Sequence, residues 1–75
     1  MGIIVNKINP KALLGSKFTK VNITQKEKHF DVIKVTFDED QRVELCVIQA
    51  VFTQNEYTID WRELKDSLQW KVGWR

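Results

Sequence analysis

One cysteine, one histidine, one proline and three glycines are all that these 75 residues hold of the types that reticulate, ligate or punctuate a chain. The lone Cys46 cannot close an internal disulfide. Near the N-terminus no basic segment precedes the seven or more apolar residues of a signal peptide, so a cytoplasmic protein is expected. No run approaches the ~20 apolar residues that carry a helix across a bilayer. Gly2, Gly15 and Gly73 are scattered rather than gathered between a strand and a helix, which removes a glycine-rich phosphate cradle. One Cys and one His are too few for a tetrahedral zinc site, and the "DEDQ" of residues 38–41 lacks calcium-loop spacing. No metal or cofactor is expected.

Covalent catalysis fares no better. It needs a nucleophile beside a base, and the only such pair of types is Cys46 and His29. In the strand register given below, His29 lies on the order of 16 Å from Cys46 at ~3.3 Å per residue. The expectation is therefore a protein that is not an enzyme.

What is present is apolar and charged: 43% hydrophobic and 29% charged residues, enough for one small core. A single domain over residues 1–75 follows, since no linker, repeat or low-complexity tract divides the chain. Three Trp, four Phe and one Tyr dominate that core, because each can bury roughly 150–250 Å². Net charge is +2, but residues 1–34 carry seven Lys against Glu27 and Asp31, whereas residues 35–75 carry five basic and eight acidic groups. The basic half could attract phosphates, although most surface charges are simply solvated.

Along the chain, "NPKALLGSK" reads as a short helix with Asn9 as cap, Pro10 in its first turn, Leu13 and Leu14 as a buried edge and Gly15 as terminator. The segments "KFTKVNI", "KHFDVIKVTF", "RVELCVIQAVFT" and "EYTIDW" read as an antiparallel meander. Opposing Phe37 with Val43, Val35 with Leu45 and Ile33 with Val47 keeps one face apolar. A two-residue turn at Gln54 and Asn55 would then oppose Phe52 with Tyr57, Ala50 with Ile59 and Ile48 with Trp61. The two clusters use positions of opposite parity, so the apolar side changes around 32–33 and 47–48. Either bulges bend the strands into a small barrel, or the chain ends cover both faces of a straighter sheet. In "DWRELKD", Asp60 and Glu63 form an Asp-type capping box, and Trp61, Leu64 and Leu68 a helical stripe. The expected fold is β-rich α+β: a bent three- to four-stranded antiparallel meander with short N- and C-terminal helices, the SH3-like barrel being its nearest architectural analogy.

Two binding chemistries fit. Trp70 and Trp74, four residues apart amid charges, suit the centre of a protein interface, with another protein or a second copy as partner, unless both simply plug the core. Alternatively Lys17, Lys20, Lys26 and Lys28, interleaved with Phe18 and Phe30, suit single-stranded RNA or DNA on a basic, aromatic-containing sheet surface. The first is favoured, because Phe18 and Phe30 are well placed for the core.

The segments "INPKALLGSKFTKV", "KEKHFDV" and "DWRELKD", with the closing "W" and "GW", together resemble a small tryptophan-rich family of uncharacterised bacterial proteins, a domain of unknown function. Members read "SKWT" where this chain has Ser16, Lys17, Phe18 and Thr19. The resemblance implies a bacterial cytoplasmic protein and a unit of this size. It brings no activity, cofactor or catalytic residue with it.

Overall fold

The computed structural model describes residues 6–24 and 26–75. Five strands form one antiparallel sheet: β1 (Lys17–Thr24), β2 (Glu27–Phe37), β3 (Val43–Ala50), β4 (Glu56–Ile59) and β5 (Trp70–Val72), in the order β4-β3-β2-β1-β5. The first four make the expected meander, and the fifth returns to flank the first. No α-helix forms among the described residues, and none there is long and apolar enough to cross a membrane.

Both expected helices are instead single 3-10 turns, at Pro10–Ala12 and Trp61–Lys65. Their caps are the expected ones. The Asn9 side chain accepts from the Lys11 amide and the Asp60 side chain from the Arg62 amide, satisfying donors that a helix start leaves bare. Segments this short cannot sustain an α-helix by propensity and must answer to packing. At the first turn Leu13 is buried while Leu14 stays exposed, and Gly15, with φ of 81°, redirects the chain into β1. At the second, Leu64 is buried but Leu68 is 73% exposed, so the helical stripe is not realised. The chain leaves at Asp66, whose carbonyl accepts from the Gln69 and Trp70 amides, and enters β5 with Trp70 facing inward. Burying an indole outweighs burying a leucine.

The change of apolar side is real, and bulges produce it. Val32 pairs with Ile48, Lys34 with Val47, and Val35 with Cys46, leaving Ile33 as an extra residue. The insertion lets Val32 and Val35 face the same side although their numbers differ in parity. A second irregularity between Thr36 and Phe37 brings Phe37 opposite Val43, as expected, but leaves Glu44 extra, so β3 changes side near 44–45 rather than 47–48. Consequently Val35 meets Cys46, not Leu45, and Cys46, Ile48 and Ala50 all point inward.

The next hairpin departs further from expectation. Cys46 pairs with Ile59 and Ile48 with Tyr57, so β3 ends at Ala50 and the connection spans residues 51–55 rather than two residues. The Gln54 amide bonds the Ala50 carbonyl at 2.8 Å, with Gln54 at φ 64°. This longer turn leaves Phe52 outside the sheet.

The core lies on one face and contains Leu13, Phe18, Phe30, Val32, Ile48, Leu64 and Trp70. Phe18 and Phe30 meet Trp70 edge-on, with ring centroids 6.5 and 5.1 Å apart. The opposite face is covered in part by the C-terminal residues: Thr19 Oγ1 donates to the Gly73 carbonyl and accepts from the Arg75 amide. Asn6 secures β5, donating from its side-chain amide to the carbonyls of Leu64 and Trp70. The sheet does not close into a barrel. β4 and β5 remain its two edges, and the 3-10 turn at Trp61–Lys65 spans the gap between them.

Candidate functional site

That gap is a cleft of about 330 Å³, lined by Lys20, Glu27, Phe30, Tyr57, Glu63 and Trp70 with Ile48, Ile59 and Gln69. Its walls come from all five strands and the second 3-10 turn. Its floor is aromatic, because Phe30 stands 6.3 Å from Tyr57 and 5.1 Å from Trp70 between ring centroids.

Glu27 is the unexpected member. It is 4% exposed and holds the 51–55 turn against the start of β2. Asn55 Nδ2 donates to Oε2 at 3.0 Å, Thr53 Oγ1 donates to the same oxygen, and the Tyr57 hydroxyl donates to Oε1 at 2.6 Å. Thr53 Oγ1 in turn accepts from the Asn55 amide at 3.2 Å. Burying a carboxylate disfavours its charged form, but donors aimed at both oxygens reverse the balance. The hydrogen bonds from Thr53 and Tyr57 hold the Glu27 carboxyl below its ordinary value, and the same bond, made by its proton, raises the Tyr57 phenol. Glu27 therefore stays ionised and Tyr57 protonated. Both shifts favour the same state, an ionised carboxylate accepting from a protonated phenol.

Position 27 lies outside the simple alternation of β2: Glu27 and Phe30, three apart, are both buried. The cause is the irregular pairing between β1 and β2, whose register shifts between Thr19 and Thr24. Read from sequence, "TQKEK" is a polar turn, and its glutamate carries no sign of burial. Its partners lie 26 to 30 residues away. The one available signal was Thr53, Asn55 and Tyr57 themselves, three donors at alternate positions.

The residues singled out from sequence are dispersed. Trp70 is 6% exposed and belongs to the core, as do Phe18 and Phe30, so neither phenylalanine lies on an open sheet surface. Trp74 is 45% exposed on the outer face, where its Nε1 donates to the Phe30 carbonyl at 3.1 Å. Lys17 Nζ lies 4.7 Å from the Trp74 ring centroid while paired with Asp31 at 2.8 Å. The His29 ring sits 5.8 Å from the indole, with Nε2 3.1 Å from the Arg75 backbone oxygen. Lys20 lines the cleft, and Lys26 and Lys28 are exposed beside the β1–β2 turn, Lys26 at φ 63°. The four lysines thus do not converge on one surface.

Cys46 and His29 are likewise separated, the thiol in the core and the imidazole on the outer face beside Trp74. Burial, aided by Asp60, pushes the Cys46 thiol up to about 11, so it is not a nucleophile at neutral pH. Among the described residues no group of three His, Cys, Asp or Glu is placed to hold a metal ion. No curated protein and no solved structure matches the chain. Residues 16–75, from the serine before β1 through the cleft to Arg75, match the family model described as tryptophan-rich protein (DUF2389), and the chain belongs to that family, a domain of unknown function.

Proposed function

We propose that this chain is a non-enzymatic protein-interaction domain. The observation that carries the reading is the 51–55 turn. Phe52 is 75% exposed at its tip, Val51 beside it is exposed, and the backbone beneath them is clamped by Glu27 through Thr53 and Asn55. An exposed aromatic on a braced turn loses little conformational freedom on binding, which is what the anchor of an interface requires. In this reading the setting is the bacterial cytoplasm, in keeping with a single cysteine that stays a free, buried thiol.

A second reading rests on Trp74. The half-exposed indole, with Lys17 over its ring and Lys71 and Arg75 nearby in the chain, offers stacking and charge to a single-stranded nucleic acid. Lys71 pairs with Thr19, the residue beneath the C-terminal cover, so both belong to the same part of the sheet. Asp31 already engages Lys17, however, which weakens this surface for phosphate.

The two readings part in one set of experiments. Phe52→Ala is expected to keep the wild-type Tm within a few degrees and to abolish capture of a specific protein partner by the immobilised domain, whereas Trp74→Ala retains it. Labelled oligonucleotides titrated across salt concentrations are expected to bind no more tightly as salt is lowered. Partner capture unaltered by Phe52→Ala, or a steeply salt-dependent oligonucleotide affinity lost in Trp74→Ala, would reject the interaction reading.

A further inference from the structure

We infer that the cleft between β4 and β5 receives a primary alkylammonium group, the end of a lysine side chain on the partner protein. This rests on the interaction reading above, since the Glu27 that lines the cleft also holds the turn presenting Phe52.

The charge balance points to a cation. Glu27 and Glu63 face the cleft against one lysine, Lys20. Among the described residues the ion pairs are Lys17 with Asp31 and Arg62 with Asp60, so neither cleft glutamate has a cation within 4.0 Å. Glu27 is 4% exposed and accepts hydrogen bonds only from neutral donors; Lys20 acts on it through space but no ion pair neutralises it, so its charge persists where water screens it poorly.

The hydrogen-bond balance specifies N–H donors on that cation. A carboxylate offers about four acceptor positions, and Thr53, Asn55 and Tyr57 fill three at Glu27, leaving one. Tyr57 commits its only proton to Glu27 Oε1, so its oxygen can present only lone pairs elsewhere. Glu63 adds two more acceptor oxygens at the rim. An ammonium has three donors and no acceptor, and the aromatic floor of Phe30, Tyr57 and Trp70 suits the methylene stem that carries it. A neutral alcohol would match the stem without the charge. A quaternary ammonium would match the charge without the donors.

The probes follow from those distinctions: n-butylammonium, tetramethylammonium, n-butanol and the blocked tripeptide acetyl-Gly-Lys-Gly-amide, each titrated into the intact chain and followed through the Tyr57 and Trp70 resonances. Butylammonium and the tripeptide are expected to shift both, with tetramethylammonium and butanol roughly tenfold weaker or worse, the scale of a lost charged hydrogen bond. Glu27→Gln is expected to weaken butylammonium by roughly tenfold on the same basis. Because that substitution also touches the turn, Lys20→Met supplies the opposite sign: it removes the like charge, leaves the Glu27 hydrogen bonds intact and is expected to tighten binding. Absence of shifts at tens of millimolar butylammonium, equal binding of tetramethylammonium, weaker binding in Lys20→Met, or response to butylammonium but not to the tripeptide would each overturn the assignment. These readouts use no partner protein, so they fail independently of the Phe52 experiment.

Discussion

At the scale of single residues, the two tryptophans near the C-terminus divide the labour that their shared composition conceals. Trp70 fills the core between Phe18 and Phe30, while Trp74 lies across the outer face with its indole N–H bonded to a strand carbonyl. Truncating a buried Trp to Ala costs about 3–5 kcal/mol. In a domain of this size each 1 kcal/mol moves Tm by roughly 4–8 °C. Trp70→Ala is therefore expected to lower Tm by at least about 12 °C or to leave the chain unfolded at 37 °C. Trp74→Ala removes one hydrogen bond and partial burial, and a loss of roughly 10 °C or less is expected, with the sheet retained. Thermal melts followed by circular dichroism check both. Equal effects would show that the outer indole is as structural as the inner one.

At the scale of elements, the single inserted residue Ile33 lets Val32 and Val35, of opposite parity, share the core face. Deleting it leaves Lys34 opposite Val47 and Val35 opposite Cys46 in an unbroken ladder, so the same side chains face the core and only the local bend of the bulge is lost. The deletion variant is therefore expected to keep cooperative unfolding in urea, and Ile33→Thr, which keeps the bulge, should unfold within about 1 kcal/mol of wild type because position 33 is already exposed. The need for this change of side was readable in the sequence, because alternation is a direct imprint of burial on strands. Its location in β2 was readable too, and so were the caps at Asn9 and Asp60, whose chemistry is local. The partner irregularity at Glu44, the residue span of the 51–55 turn and the three-residue β5 were not. The last two are fixed by contacts far along the chain, β5 by pairing with β1 and the turn by Glu27. The cleft was invisible for the same reason, being the space left where the sheet fails to close.

At the scale of the whole molecule, the ionisable groups at the cleft and core set the pH range of stability. Glu27 has a folded-state pKa below its ordinary 4.5, through Thr53 first and Tyr57 next. Its contribution is present above the ordinary value and is lost as pH falls through the lower folded value. Tyr57 and Cys46 shift upward, the first through its bond to Glu27 and the second through burial, so their contributions hold below their ordinary 10.0 and 9.0 and fade as pH rises through the folded values. Tm against pH should thus show a plateau with an acid limb that begins near the ordinary carboxylate value and continues down through the lower folded value of Glu27. Glu27→Gln is expected to lower the plateau and flatten that limb, because its side chain no longer titrates. An acid limb of unchanged steepness in the variant would assign it to other carboxylates.

The amide of Asn6 acts on this same scale. By occupying the Trp70 carbonyl that β5 turns away from β1, it works as a stopper on one flank: a strand arriving there finds its acceptor taken.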